Sequence, residues 1–163
     1  MAARIRCSPA IRPRDLTELR LLVELPALRK LADRGLSDQE LAVVRKLANV
    51  TMRAAGDLDV PGYLHADMAF HLYLLELTDD RARSGVARLL LAPAPGYARR
   101  VEEFGLLMAA EAREHGELVN MLADDMVSAA DDLLRHHVSR PWAGQREPAP
   151  VLAGPQSISC EEA

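Results

Sequence analysis

The segment HADMAFHLYLLE, residues 65–76, places a carboxylate and an imidazole four residues apart in a stretch with helical spacing. On a helix, Asp67 and His71 share one face. Phe70 and Leu74 flank that face, so the pair is expected to point into the protein. A buried Asp–His pair either satisfies its own hydrogen bonds or holds a metal ion, and the spacing by itself allows both interpretations.

His115, in the segment EAREHGELVNML, is a second imidazole on an apolar face. Apolar residues follow it at three, four and seven positions, which is the spacing of one side of a helix. Glu111 lies one helical turn earlier and is the only general base that we can name near such a site. The simpler interpretation of Glu111 is a carboxylate in solvent, or one that supports a metal ligand without contacting the metal itself.

Helical register separates the adjacent histidines 136 and 137. His137 shares its face with apolar residues three, four and seven positions earlier, whereas His136 shares its face with Asp132. We therefore predict that His137 points inward and that His136 lies on the surface. His65 is also interpreted as a surface residue.

Three helices would thus direct one carboxylate and three imidazoles toward one point: Asp67, His71, His115 and His137. Facing helices of a bundle are known to build metal sites in this way. This donor set suits a divalent zinc, nickel, iron(II), cobalt or manganese ion and suits calcium or magnesium poorly. An octahedral ion would leave two positions open, whereas a tetrahedral zinc ion would be fully coordinated and structural. The alternative is a hydrogen-bonded core without metal.

Helices must position these residues, and the composition favours helices. The chain has 163 residues, of which 49% are apolar and only 4% aromatic, which suits packed helices better than a β-sandwich. The fold class is predicted as all-α, an antiparallel bundle of six to seven helices. Pro26 predicts a kink, and Ser37 with Glu40 forms a capping box. The predicted helices run over about residues 15–34, 38–56, 61–78, 81–92, 97–123 and 127–139.

The predicted organisation is one helical domain, residues 15–140, between a loose arm, residues 1–14, and a disordered tail, residues 141–163. Cys7 and Cys160 lie in these opposite ends, which argues against a structural disulfide or a thiolate metal site. A reducing cytoplasm is therefore the expected location. No apolar run approaches the length that spans a bilayer, so no membrane association is expected.

Charge and the remaining motifs exclude several functions. A net charge of −4 gives no overall basic field for nucleic acid. No glycine-rich dinucleotide motif, P-loop or serine-centred elbow occurs. The pairs Asp124–Asp125 and Asp131–Asp132 are interpreted as solvated helix ends rather than catalytic acids, although the second pair could also accept hydrogen bonds from arginines.

Four segments, in order, resemble the effector-binding C-terminal (FCD) domain of the FadR subfamily of GntR transcription regulators. These segments are ELRLLVE, ADMAFHLYL, EHGELVNML and LLRHHV, and the resemblance covers about residues 15–140. It includes an Arg four positions before a Glu, an Asp-x-x-Phe-His core, a later His, and a final His 22 residues further on. The matching residues here are Arg20, Glu24, Asp67, Phe70, His71, His115 and His137.

The resemblance implies a bundle of six or seven helices in which one Asp and three His bind zinc, nickel or another divalent ion. It also implies that a small organic acid sits over the metal and contacts it through a carboxylate. Arg20 is then a candidate ligand-binding residue, although it could instead form a salt bridge with Glu24. A homodimer is the assembly that the resemblance implies.

The sequence also departs from this family. Members carry a winged helix-turn-helix before the domain, whereas about 14 residues precede the first predicted helix here. The arginines of that segment make at most a basic arm, so this chain is not expected to bind operator DNA directly: Arg4, Arg6, Arg12 and Arg14. Asp80 stands where the family often has Asn, and the LLLAPAPG break after the fourth helix is unusual.

Three functions follow from this reading of the sequence. The first is a metal-dependent domain that binds a small carboxylate and lacks its own DNA-binding head. The second is a standalone metalloenzyme on the same fold, acting as a hydro-lyase, isomerase, cyclase or hydrolase. The third is a structural dimer with a fully coordinated zinc ion.

Overall fold

Six α-helices make up the part of the chain that the computed structural model describes, residues 13–91 and 101–140. No strand occurs within those residues, which confirms the all-α prediction. Residues 1–12, 92–100 and 141–163 lie outside the described residues, and with them both cysteines and the APAPG part of the LLLAPAPG break. The helices are α1 (Pro13–Arg34), α2 (Asp38–Gly56), α3 (Val60–Glu76), α4 (Arg81–Leu90), α5 (Val101–Ala123) and α6 (Val127–Ser139).

Local signals at the helix ends explain most of these bounds. Gly35 adopts a φ of +73°, a conformation that glycine tolerates without strain, and this turn ends α1. The capping box predicted for α2 is present, because Ser37 and Glu40 each accept from the other's backbone N–H. Asp59 caps α3 by accepting a hydrogen bond from the backbone N–H of Gly62 at 3.0 Å.

The start of α1 corrects one expectation. The predicted loose arm extends to residue 14, but α1 begins at Pro13. Proline is accommodated in the first helical turn because its missing N–H would have no intrahelical partner there. The helix continues through Pro26, and the kink expected at that residue stays a prediction.

The helices pack into one main core and two smaller apolar clusters. α2 packs against both α3 and α5, while α1 packs against α6, α4 and α3. The main core joins residues of α1, α2, α3, α5 and α6, and Phe70 lies fully buried within it. Burial of these apolar faces holds these five helices around one interior point, and that point is lined by polar side chains.

Asp131 is not a solvated residue, which corrects the interpretation of the Asp131–Asp132 pair. Its side chain is buried within α6 and accepts hydrogen bonds from Arg29 of α1, one of them at 2.7 Å from Nε. The alternative, an arginine partner, is therefore the correct one for Asp131. Asp124, Asp125 and Asp132 are exposed, as predicted.

None of the described helices combines the length and the apolar character that crossing a bilayer requires.

Candidate metal centre

The four predicted ligands meet at the centre of the bundle. Asp67 and His71 come from α3, His115 from α5 and His137 from α6, and each offers a ligand atom within 4.8 Å of the others. The three histidines are buried, whereas the side chain of Asp67 keeps 21% of its surface exposed. The cluster is therefore closed on its histidine side and accessible at Asp67.

The three imidazoles present the same atom to one another. The Nε2–Nε2 distances are 3.1 Å between His71 and His137, 3.3 Å between His71 and His115, and 3.2 Å between His115 and His137. Two imidazole nitrogens on one ion lie roughly 3.0–3.4 Å apart, for metal–nitrogen bonds of about 2.1 Å at angles from 90° to tetrahedral. The triangle of Nε2 atoms has the size that a shared ion requires.

Asp67 completes the donor set with a carboxylate oxygen. Its Oδ1 atom lies 3.3 Å from His115 Nε2, 3.7 Å from His71 Nε2 and 4.0 Å from His137 Nε2. Because the carboxylate is near all three rings, the Asp67–His71 pair is not an isolated hydrogen bond. The donor set is three imidazole nitrogens and one oxygen, which suits a borderline divalent transition metal.

The other ring nitrogen of each histidine faces an oxygen from a different part of the bundle. His71 Nδ1 lies 2.8 Å from Glu24 Oε2, and His137 Nδ1 lies 3.0 Å from Glu114 Oε2. An ionised carboxylate only accepts hydrogen bonds, so His137 Nδ1 carries the proton, and the closeness of Glu24 favours the same tautomer for His71. Their Nε2 lone pairs are consequently directed at the centre of the cluster in the neutral rings.

Thr51 of α2 fixes the third ring in the same way. Its hydroxyl donates to the Ala48 carbonyl at 2.7 Å, and its oxygen lies 3.0 Å from His115 Nδ1. Since the hydroxyl proton is committed to the carbonyl, Thr51 accepts from His115 Nδ1–H. All three imidazoles are thereby held with Nε2 inward.

A positive charge at the centre would relieve the repulsion within this arrangement. Three nitrogen lone pairs and a carboxylate oxygen repel one another when they converge within about 4 Å in a buried site. A proton can bridge only one pair of these atoms at a time, whereas a metal ion contacts all four. The donor set therefore fits a divalent ion, which would be held by Asp67, His71, His115 and His137.

Burial also favours the neutral, metal-binding form of His115 and His137. Desolvation lowers the pKa of His115 to about 3, although the nearby Asp67 carboxylate acts in the opposite direction. Burial likewise lowers the pKa of His137, against the raising effect of Glu114. Burial alone would raise the pKa of Asp67, but the close contact with His115 and the neighbouring imidazoles hold it well below its ordinary value. At neutral pH these groups are in their metal-binding protonation states.

Phe70 packs the rings into place. It stacks on His115 with ring centroids 4.2 Å apart and meets His71 edge-on at 5.4 Å. The Phe of the Asp-x-x-Phe-His pattern therefore contacts two of the predicted ligands directly.

Thr51→Val tests the role of Thr51 at His115. Valine has the same shape but cannot accept from Nδ1–H, so His115 loses its orientation and the favoured tautomer. We expect metal affinity to fall about 10- to 100-fold, measured by competition with a chromogenic chelator. Thr78→Val is the matched control, because buried Thr78 makes the same i−3 hydrogen bond, to the Leu75 carbonyl. Equal affinity losses in both variants would show that Thr51 acts through packing alone.

Arg20 forms the predicted salt bridge with Glu24. Its Nε atom donates to Glu24 Oε1 at 2.7 Å. Burial would raise the pKa of Glu24, but the charges of Arg20 and His71 lower it to about 2. Arg20 thus supports His71 through Glu24, and its charge also lowers the pKa of His137. The predicted contact between Arg20 and a ligand stays a prediction.

Glu111 is buried, so the solvated carboxylate is the wrong one of its two simpler interpretations, and a role in supporting a metal ligand stays a prediction. Its Oε2 accepts a hydrogen bond from the Tyr63 hydroxyl at 2.9 Å. Desolvation, together with the nearby charge of Asp67, raises the pKa of Glu111 to about 7, although the Tyr63 hydrogen bond opposes this. Glu111 therefore changes its charge near neutral pH.

The raised pKa of Glu111 predicts how Glu111→Gln changes stability with pH. Between about pH 4.5 and 7 the unfolded chain loses the Glu111 proton while the folded chain keeps it, so folding becomes less favourable as pH rises through this window. Glutamine removes this cost. In metal-free protein, we expect the gain in unfolding free energy to be absent below pH 4.5 and to reach about 3 kcal/mol above pH 7.

Urea unfolding at several pH values measures that difference. Glu117→Gln on the exposed side of α5 is the control and should run parallel to wild type. A constant difference between Glu111→Gln and wild type across pH 4–8 would contradict the assignment.

His65, His136 and Asp80 lie outside the cluster. His65 and His136 are exposed, as predicted. Asp80 caps α4 by accepting from the Arg83 backbone N–H at 2.9 Å, rather than joining the cluster. Its suggested influence on ligand choice stays a prediction.

Sequence reasoning missed the residues that orient the rings. Thr51 and Glu114 were not singled out, and Glu24 was noted only as the partner of Arg20. The available signal was a polar residue on the inward stripe of an otherwise apolar helix face, as for Thr51 between Ala48 and Ala55. That signal identifies a buried polar side chain but not its partner.

The fold and the cluster together define an all-α domain with a candidate metal centre in its interior. The sequence matches the family model of the FCD domain over residues 15–140. The chain therefore belongs to the FCD family, whose domains are the effector domains of GntR-type transcription regulators. No curated protein matches the chain.

Two solved structures have a similar fold. One is Lar, described as controlling expression of the Listeria monocytogenes agr system and mediating virulence, with a TM-score of 0.68 and 14% identity. The likeness covers 81% of this chain and 63% of the Lar chain. The other is E. coli McbR/YncC, with a TM-score of 0.67, 17% identity, and coverage of 85% of this chain and 68% of that chain. At these identities the likeness concerns the fold alone.

Proposed function

We propose that this domain binds a divalent transition metal ion and, over it, a small organic acid whose carboxylate completes the coordination. The observation that carries the proposal is the triangle of three Nε2 atoms beside Asp67, with an oxygen within 3.0 Å of every Nδ1. Zinc, nickel, iron(II), cobalt and manganese all suit this donor set.

Access and charge support the carboxylate part of the proposal. The cluster is accessible at Asp67, and an octahedral ion with four protein ligands has two remaining positions. The Arg20 guanidinium is close enough to influence His137, so a cation lies beside the cluster on the α1 side. An acid bound there would bridge the metal and α1. It would act by favouring one arrangement of the helices over another, which is the requirement for a sensor.

Melting temperatures measured with and without metal test this function. Metal-loaded protein should gain further stability from small carboxylic acids, whereas chelated protein should gain none. The same screen on Asp67→Ala should show no dependence on either metal or acid. A shift with metal but no additional shift with any acid would indicate a fully coordinated structural ion instead.

A second candidate function is a metalloenzyme, and the environment of Glu111 favours it. A carboxyl group with a pKa of about 7, one helical turn from His115, has the properties of a general base. A bound divalent ion would supply Lewis acidity or an activated water at the cluster. Prolonged incubation of metal-loaded protein with each acid that binds, followed by mass spectrometry, tests this candidate. Binding of an acid without formation of any new product would contradict the enzyme candidate and support the sensing function.

Homodimer formation is also proposed, and an exposed apolar surface supports it. α1 packs against α4, and both helices expose large apolar side chains. These are Leu19 and Leu22 on α1 and Val86 and Leu89 on α4, with Leu22 71% and Leu89 79% exposed. Light scattering should give the mass of a dimer for wild type and of a monomer for a Leu22→Arg, Leu89→Arg double variant. A monomeric wild type would contradict the proposal.

A further inference from the structure

Among the four clustered residues, His137 lies nearest to the end of its helix. It occupies the last turn of α6, which ends at Ser139, whereas the other three come before the last turns of α3 and α5. The last turn of a helix frays more readily than its middle, because its carbonyl groups have no partner within the helix. A metal ligand in that position is held more firmly when a contact outside α6 supports it.

Glu114 of α5 supplies such a contact with both of its oxygens. Oε2 accepts from His137 Nδ1–H at 3.0 Å, and Oε1 accepts from Nη2 of Arg140, the residue that caps the C-terminus of α6. Glu114 is only 6% exposed, and 21% of the Arg140 side chain is exposed. One buried carboxylate therefore joins His137 to Arg140 and fastens the end of α6 to α5.

Arg140 limits the orientations that are open to Glu114. Without a donor at Oε1, the carboxylate would be free to rotate about its side-chain bonds and away from His137. A guanidinium stays charged and only donates hydrogen bonds. With Oε1 held in this way, Oε2 stays in place to accept from His137 Nδ1–H.

A second arginine–glutamate pair stands behind another imidazole in the same order. Arg20 Nε donates to Glu24 Oε1, and Glu24 Oε2 lies 2.8 Å from His71 Nδ1. Because the order arginine, glutamate, histidine recurs at a second ring, the contact of Arg140 with Glu114 resembles an orienting contact more than a chance surface ion pair.

Arg140 has one further contact, with His136. The His136 Nε2 atom lies 2.6 Å from Arg140 Nη2, but 63% of the His136 side chain is exposed. Solvent weakens a contact in that position. Glu114 is therefore the partner through which Arg140 affects the cluster.

We propose that Arg140 is a positioning residue of the candidate metal centre, which holds Glu114 so that His137 keeps its Nε2 atom directed at the ion. This inference rests on the proposed function as far as the ion is concerned. The orientation of His137, however, is a property of the metal-free chain as well, so it is measurable without any metal.

Competition with a chromogenic chelator measures the effect of Arg140→Gln on zinc affinity. We expect a loss of about tenfold, the lower end of the effect of residues that orient a metal ligand. Arg140→Lys keeps the charge and one donor and should lose less. Arg135→Gln is the matched control, because it removes the same charge from an exposed position of α6, and it should bind zinc like wild type. Equal losses in Arg135→Gln and Arg140→Gln would overturn the proposal.

Combination with Glu114→Gln shows whether Arg140 acts through Glu114. Two residues that act in sequence have non-additive effects. In the Glu114→Gln background, Arg140→Gln should therefore change the zinc affinity by less than about twofold. The same loss in both backgrounds would overturn the proposal, because Arg140 would then act without Glu114.

The tautomer of His137 in metal-free protein is a readout that a general loss of stability does not change. Nitrogen NMR distinguishes the protonated from the unprotonated ring nitrogen. Wild-type His137 should carry its proton on Nδ1, and Arg140→Gln should move part of the population to the Nε2–H tautomer. An unchanged tautomer in Arg140→Gln would overturn the proposal. A wild-type chain that binds no zinc would instead contradict the proposed function, and the tautomer would still decide the role of Arg140.

Discussion

His137→Ala should remove bound metal almost completely, whereas His136→Ala should leave the metal content near that of wild type. His137 is buried with Nε2 within 3.2 Å of both other imidazoles, and His136 is exposed. Loss of one of four ligands leaves a carboxylate and two imidazoles, which cannot hold a transition metal through dialysis as tightly. Elemental analysis of untagged protein, purified without chelators, measures the ratio of metal to chain for each variant.

His136→Ala is a matched control for His137→Ala, because it changes the same residue type at the adjacent position of the same helix. Both histidines lie in the last turn of α6, so any general effect of alanine on that helix should appear in both variants. Equal loss of metal from the two variants would show that the register of α6 is wrong. Wild-type protein that contains no metal, even after incubation with zinc or nickel, would mean that the cluster is a hydrogen-bonded core.

Metal removal should destabilise the folded domain strongly. An ion held by this cluster would bind the folded state alone, because the four ligands come from three helices that converge only in the bundle. With free metal at a thousand times the dissociation constant, binding adds about 4 kcal/mol to the unfolding free energy. That corresponds to a change in melting temperature on the order of 10 °C for a domain of this size. Differential scanning calorimetry before and after chelation measures the change.

Asp67→Asn is the control for metal removal. The amide keeps the size of the side chain but removes the negative charge and weakens the fourth ligand. Its melting temperature should respond to zinc much less than that of wild type, and chelator should have correspondingly little effect. If the wild-type melting temperature changes with neither zinc nor chelator, that result would contradict a metal centre that stabilises the fold.

Helical periodicity allowed both the fold class and the four converging residues to be predicted. Asp67 and His71 share a face because they are four apart on α3, and His137 was separated from His136 by its apolar neighbours on α6. The capping box of α2 and the glycine turn that ends α1 also depend only on residues close together in the sequence. By contrast, the start of α1 at Pro13 was missed, because a proline in the first turn and a proline in a loop look alike in sequence.

The sequence by itself determined which side chains share a helix face, since that depends on a repeat of 3.6 residues within each helix. Only the tertiary structure decided how those side chains pair. His115 and Thr51 are 64 positions apart, and Arg29 and Asp131 are 102 apart, so no local pattern links them. The packing of whole apolar faces sets which helices are neighbours, and it thereby made Asp131 and Glu111 buried groups instead of solvated ones. The same packing gave each imidazole an oxygen partner and turned three Nε2 atoms toward one point.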